Sequence, residues 1–353
     1  MQHETTTIMQ YRCKKCNAPY PLGADDVIAT CPYCGYTFTV GGEEISHLIL
    51  PNELDSKSVK KKVMEWFELA AKKTVGRGII KNIEMEEPIL QWIPTFRVTG
   101  HFESYHFGYK REGSGNSAKH RRFENRESGA LIEWVIARRH AATFGINEFI
   151  SSLQDTPAQA FKMEMTGSAP VLNSEIIDED AVKRAQKNRK DRERIELLKK
   201  MDKLLDHSLK ITPESSEYTH APYWLARYSY QKGTFRVAVS GATGEVLLGE
   251  LPVTKRYRAK KWFTSILLLV SASALFQVLP YILIPLLTSN TDSGDIWVIP
   301  IAMLILAFVL WAGSVVTVGG ALKYEVQVTS KGEERTDVST LEGTMRRLGG
   351  RKQ

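Results

Sequence analysis

The chain has 353 residues, 43% of them hydrophobic and 25% charged, with a formal net charge of +7. That length calls for two or three folded units, and the positive balance suits nucleic acid or anionic lipid headgroups without selecting either. All four cysteines fall within the first 34 residues, which excludes a disulfide framework spread over a secreted chain, and residues 1–10 lack the apolar core of a secretory signal.

Residues 11–40 read YRCKKCNAPYPLGADDVIATCPYCGYTFTV. Cys13 and Cys16 form one CxxC pair and Cys31 and Cys34 a second, with fourteen residues between them. Two residues between thiols let both sulfurs face one ion from a tight turn. The four cysteines are therefore the expected ligands of one structural Zn2+ ion, in a closed tetrahedron with no open catalytic position. Pro32 stiffens the second turn, and Gly35 can take a positive φ just after the last ligand. A module of about thirty residues buries little core and draws much of its folding energy from the metal. The expected ribbon domain spans 1–45, and its free thiols belong in a reducing compartment.

Residues 46–80 read as a connector and an amphipathic helix over 57–74, capped by Asp55 or Ser56, with Val59, Val63, Trp66, Phe67 and Ala70 on its apolar face. A first α+β unit, 81–178, holds strand patterns at 89–109 and 130–137, a turn at 112–117 and a short helix capped by Asn147. Residues 179–211 read as a charged helix that packs its later half through Ile195, Leu198, Met201, Leu205 and Leu209. A three-stranded β-meander follows at 212–254. Pro94-Thr95-Phe96 and Pro222-Tyr223-Trp224 open comparable strands, which suggests a duplicated β unit.

Catalytic motifs are missing: there is no HExxH, no GxSxG, no GKS or GKT phosphate loop and no kinase set. His101, Glu103, Tyr105 and His106 lie in one strand-like stretch, but alternation sends His106 to the opposite face. A non-enzymatic role is expected. For a nucleic-acid-binding role, the assigned residues are Arg121, Arg122, Arg126, Arg138 and Arg139.

Two uncharged runs, 262–288 and 296–319, are each long enough to cross a hydrocarbon core of roughly 30 Å, and form a hairpin over 262–319. Lys255, Arg256, Arg258, Lys260 and Lys261 precede the first run, and a basic tail over 320–353 follows the second. The connector between the runs carries only Asp292 and Asp295. The positive-inside rule then gives a cell-membrane protein of two spans with both termini cytoplasmic. No charge sits at mid-depth, so the hairpin reads as an anchor or helix-packing element and not as a conduction path. Pro280, Pro285 and Pro300 are possible kink sites within it.

The N-terminal CxxC…CPxCG ribbon, strand entries such as APYWLARYSY, the turn Gly241-Ala242-Thr243-Gly244 and the C-terminal hairpin together resemble a group of prokaryotic zinc-ribbon membrane proteins. The later β unit is loosely similar to the PepSY type of domain. The resemblance implies Cys13, Cys16, Cys31 and Cys34 as metal ligands and implies no activity. The expected architecture is a multi-domain α+β membrane protein: a zinc ribbon, an α+β middle region with antiparallel β-meanders, and a two-helix transmembrane hairpin. The expected function is a scaffold or adaptor that recruits a protein partner at the cytoplasmic membrane face. The alternatives are a membrane-tethered nucleic-acid-binding or ribosome-associated regulator, and an accessory subunit of a membrane enzyme or transporter. The bilayer and a protein are the expected partners, and the hairpin offers a surface for homo-oligomerisation.

Overall fold

The computed structural model describes residues 9–113, 119–139, 144–153, 156–231, 233–288 and 298–335. In chain order its elements are β1 (Met9–Arg12), β2 (Pro19–Leu22), β3 (Ile28–Thr30), β4 (Thr37–Thr39), β5 (His47–Ile49), α1 (Ser56–Lys73), β6 (Glu84–Met85), β7 (Ile89–Glu112) and β8 (Lys119–Ile136). Then come α2 (Ile146–Ser152), β9 (Gln159–Ala160), α3 (Asp178–Lys200), β10 (Lys203–Tyr230), β11 (Gly233–Ser240), β12 (Val246–Pro252), α4 (Lys255–Thr288), α5 (Val298–Leu322) and β13 (Glu325–Thr329). The architecture is mixed α+β, with two small N-terminal sheets near the cysteines and a C-terminal pair of apolar helices. The chain divides into two compact units: Met1–Val63, Glu87–Arg227 and Arg236–Leu248 in the first, and Met64–Glu86, Tyr228–Phe235 and Gly249–Gln353 in the second.

In the first unit β1–β2 and β3–β4 are short antiparallel pairs. The dominant feature is a long antiparallel trio. β7 pairs with β8 from Thr95↔Ile136 to Glu112↔Lys119, and β10 pairs with the other edge of β7 from Lys203↔Tyr109 to Pro222↔Trp92. The two Pro-x-aromatic strand entries are thus neighbours in one ladder, Pro94 opposite His220 and Pro222 opposite Trp92. β5 runs parallel to β10, and β9 pairs antiparallel with β5. One buried cluster gathers Ile93, Trp134, Ile136, Phe149 and Tyr223, and a second gathers Ile28, Phe96, Val98, Val135, Ala181, Ala185 and Tyr218.

Two bulges in β10, at Leu204/Asp206 and Pro213/Ser215, begin opposite Gly108 and Gly100 of β7. A Cβ on Gly100 would stand 2.2 Å from the Thr212 carbonyl oxygen, and one on Gly108 2.4 Å from that of Lys203. The backbones approach too closely there for any side chain, which is why glycine occupies both positions.

The charged helix differs from expectation. It ends at Lys200, and Leu205 and Leu209 belong to β10. The residues α3 buries are Ala181, Ala185 and Leu197, while Ile195 and Leu198 are exposed. Pairing along the whole of β7 draws the later leucines into a strand. The small alanines then let the early part of the helix lie close to Phe96 and Val98. On the same helix Arg192 pairs with both oxygens of Glu133, a β8 carboxylate only 3% exposed. The short helix α2 starts after Gly145 with no side-chain cap, so Asn147 does not cap it.

In the second unit, Trp66, Phe67, Ala70 and Ala71 of α1 are buried, as are Tyr228, Phe235, Leu251, Val326 and Val328. Phe67 meets Tyr228 edge-on at 4.8 Å, Tyr228 stacks on Phe235, and Phe235 stacks on Tyr324. The Trp66 indole donates to the Thr329 carbonyl at 3.0 Å. The strands run β13–β12–β11–β10 across the sheet. β12 leads into α4 and α5 leads into β13, so the two apolar helices are an insertion between neighbouring strands. The Val253 N–H closes the insertion on the Tyr324 carbonyl at 3.1 Å. Residues 320–335, read from sequence as the start of a tail, therefore supply a sheet strand and a tight return; 336–353 lie outside the described residues, as do most of the turn at 112–117 and the connector 289–295.

Both helices are long and apolar enough to cross a membrane: Lys255–Ile284 holds an 18-residue stretch of mean hydropathy 2.1, and Val298–Leu322 one of 2.5. Their contact seam follows a seven-residue step: Ser265, Ala272 and Leu279 are buried on α4, and Pro300, Ala307, Ser314 and Ala321 on α5. Ser265 Oγ and Ser314 Oγ lie 2.8 Å apart, and each hydroxyl also reaches the other residue's carbonyl. Seven-residue steps from that pair set Ala272 opposite Ala307 and Leu279 opposite Pro300. Small residues at this spacing give close, left-handed packing of the kind membrane helices use. The outer faces are apolar, with Phe263, Tyr281 and Val316 each at least 71% exposed.

Candidate metal centre and its polar surroundings

Each CxxC turn is built the same way. The Cys13 N–H donates to the Ala18 carbonyl and the Asn17 N–H to the Cys13 carbonyl; the Cys31 N–H donates to the Tyr36 carbonyl and the Gly35 N–H to the Cys31 carbonyl. The fourth residue after each leading cysteine is left-handed, Asn17 at φ 61 and Gly35 at φ 70. Glycine takes that conformation freely, and asparagine is the side chain that tolerates it best. Beneath the turns Tyr11 stacks on Phe38 at 4.9 Å, and Tyr20, Leu22 and Ala29 complete a small buried cluster.

The turns bring the four sulfurs within 4.8 Å of one another. Cys13 Sγ lies 3.6 Å from Cys34 Sγ, and Cys16 Sγ lies 3.7 Å from Cys31 Sγ. A metal–sulfur bond of about 2.3 Å gives a tetrahedron edge of roughly 3.8 Å, so these separations fit four thiolates around one ion. The protonation preferences are uneven. Burial raises the Cys13 thiol, but the backbone N–H groups of Cys16 and Lys15 and the neighbouring thiols outweigh it and bring it to about 7. Burial pushes Cys31 up to about 12 and also raises Cys34. A cation at the centre is what would let all four sulfurs be thiolates together. The cluster can hold one metal ion and, with four protein donors, leaves no position for substrate.

A buried polar chain runs from the ribbon into the sheet. Thr30 Oγ1 is 3.1 Å from Thr37 Oγ1, which is 2.7 Å from His47 Nδ1. His47 Nε2 is 2.6 Å from His220 Nδ1, and His220 Nε2 is 2.8 Å from the Leu172 carbonyl oxygen. A carbonyl only accepts, so His220 Nε2 carries the proton. For neutral rings, the direction of every other bond follows: His47 donates to His220, Thr37 to His47 and Thr30 to Thr37. Phe161 stacks on His47 at 3.8 Å. Burial, and secondarily repulsion from His220, pulls His47 down to about 2. Burial pulls His220 down to about 4, although the Leu172 carbonyl works in the opposite sense. The order hydroxyl–imidazole–imidazole resembles a nucleophile and its base, but Thr37 is buried and His47 holds a proton poorly. The chain is a strut between β4, β5 and β10.

The five arginines assigned from sequence do not converge. Arg122 and Arg126 share one face of the β7–β8 ladder. Arg121 lies on the other face over Phe123 and pairs with Glu112. Arg138 pairs with Glu175 and donates to the Asn173 carbonyl, and the Arg139 N–H donates to the same glutamate. His101 lies 3.1 Å from Glu214 on the exposed side of β7, while His106 is buried on the opposite side. The His47–His220 strut escaped the sequence reading, because nothing local links residues 173 positions apart.

Comparison of the chain with protein-family profiles, with curated proteins and with solved structures found no match. The four-cysteine cluster and the two membrane-length helices are what the structure retains of the resemblance drawn from the sequence.

Proposed function

We propose that the chain is a membrane-anchored, non-enzymatic scaffold that recruits a protein partner at the cytoplasmic face. The observation that carries this reading is the insertion of α4 and α5 between the neighbouring strands β12 and β13. An anchor closed at its base by Val253 and Tyr324 holds its unit to the bilayer through two chain crossings. The connector 289–295 contains neither Lys nor Arg, against five basic residues over 255–261, which supports cytoplasmic termini. Zn2+ is the ion that four thiolates at these separations favour, and its role is to hold the ribbon's recognition surface rigid. The small-residue seam uses one face of each helix and leaves the others for lipid or for a second copy.

The test is chemical crosslinking in native membranes followed by capture of the full chain, compared with a Cys31→Ser/Cys34→Ser variant. The proposal expects a specific protein crosslinked to the wild type and lost from the variant, with the variant still in the membrane fraction. A crosslink pattern identical in both would contradict it.

A further inference from the structure

The outer half of the β7–β8–β10 trio has two unlike faces. The face carrying Phe102, Ser104, His106 and Gly108 is covered by α3: Arg189 lies 4.3 Å over the Phe102 ring, Ser104 bonds Glu193, and the Met201 sulfur sits where a Cβ on Gly108 would go. The opposite face carries Tyr105, Phe107 and Tyr109, alternate residues of β7 spaced about 7 Å apart along the strand. Phe107 and Tyr109 meet edge-on at 5.4 Å.

On β8, Arg126 pairs across from Tyr105 and Arg122 from Tyr109. Their guanidinium groups lie 5.4 Å over Tyr105 and 5.0 Å over Phe107. On β10, Lys203 stands opposite Tyr109 and Lys210 opposite Glu103. Both arginines and both lysines are exposed. Among the described residues, this half of the face with Arg111 holds five basic groups against Glu103, Glu124 and Asp206, with the His101–Glu214 pair beside it, and Glu124 is engaged by Arg122 and by the Tyr105 hydroxyl.

We infer that this face binds single-stranded nucleic acid. A row of rings on one face of a sheet gives unpaired bases a stacking platform, and exposed arginine and lysine on the flanking strands neutralise the phosphates. Arginine already seated on a ring can swing to a phosphate or stack on a base while the ring takes another. A duplex hides its base faces, so the preference is for unpaired strands. A bilayer surface would engage the charges and could also take the rings at its interface, and a comparison with anionic vesicles separates the two. This inference goes beyond the scaffold reading and depends on neither the ribbon nor the hairpin.

The experiment is fluorescence anisotropy with the full chain in phosphatidylcholine nanodiscs. The probes are an oligouridine and an oligothymidine of about fifteen nucleotides, and a duplex of mixed sequence. The wild type is expected to bind both single strands at low salt and the duplex more weakly, and the difference between the two single strands reports whether RNA or DNA is preferred. Tyr105→Ala/Phe107→Ala should weaken single-strand binding about tenfold or more, whereas Tyr105→Phe/Phe107→Tyr should retain it. Arg122→Gln/Arg126→Gln, both exposed and safe for folding, should weaken binding and reduce the salt slope by about one to two. The inference is overturned if the wild type binds neither single strand at low salt, or if the arginine pair can be removed without loss. It is also overturned if the aromatic variant, with unchanged thermal stability, binds as the wild type does. Arginine-dependent binding to anionic vesicles with no single-strand binding would assign the face to the membrane instead.

Discussion

His47 Nε2 lies 2.6 Å from His220 Nδ1, and the Leu172 carbonyl on the far side of His220 decides which ring donates. With both imidazoles neutral the chain from Thr30 to Leu172 is fully satisfied. Protonating either ring places a charge in a buried site, where the loss of hydration opposes it. The ribbon strand β4 is therefore tied to β5 and β10 by a contact that favours neutral histidine.

The first prediction is a dependence on pH. Both histidines titrate lower in the fold than the unfolded value of about 6.5. Below that value the unfolded chain binds protons that the folded chain refuses, so their contribution to stability is intact above about pH 6.5 and declines toward pH 4. The slope is at most about 1.4 kcal/mol per pH unit for each ring. Thermal unfolding between pH 7 and pH 5 should show a steeper loss in the wild type than in His220→Leu, and equal slopes would refute the account.

The second concerns metal. Purified protein should carry one ion per chain by elemental mass spectrometry, and Cys31→Ser/Cys34→Ser should carry none. A strong chelator should lower the unfolding temperature of the wild type and leave that of the variant unchanged. Unchanged metal content in the variant would remove the four-cysteine site.

Backbone geometry at the turns gives the third. Asn17→Gly should be neutral or slightly stabilising, while Asn17→Ala should cost about 1 kcal/mol, because φ 61 disfavours a Cβ without a compensating side chain. Gly35→Ala should cost more, since its Cβ would also stand 3.2 Å from the Phe161 ring. Denaturant titrations of the three variants check the order.

The helix seam supplies the fourth. With Ser265 against Ser314 and a seven-residue step, Ala272→Cys and Ala307→Cys should form an intramolecular disulfide under mild oxidation. Ala272→Cys with the outward-facing Phe308→Cys should not. A bond in the second pair and none in the first would refute the register.

The legible parts of the fold were those with a local cause. CxxC spacing pointed to the four cysteines that cluster, and Gly35 marked one left-handed turn. Its counterpart Asn17 was readable too, because it occupies the same place after Cys13. The helix at 57–74 was found to within a residue at each end, as Ser56–Lys73, because its apolar side chains repeat at helical spacing. The start of β10 was not legible: Leu205 and Leu209 fit a helical stripe, and only pairing with β7, far away in sequence, draws them into a strand. Strand β13 was hidden for the same reason, since five residues beyond a hydrophobic span look like a tail until the edge of β12 receives them. The histidine strut and the aromatic face of β7 likewise depend on which strands become neighbours.

In the proposed topology the hairpin leaves the rest of the chain on the cytoplasmic side. The most direct test is labelling of intact cells with a membrane-impermeant maleimide, using a cysteine placed at Ser293 in the connector or at Ser330 after β13. The account predicts that Ser293→Cys reacts from outside and that Ser330→Cys reacts only after permeabilisation. Reaction of Ser330→Cys in intact cells, with Ser293→Cys protected, would contradict it.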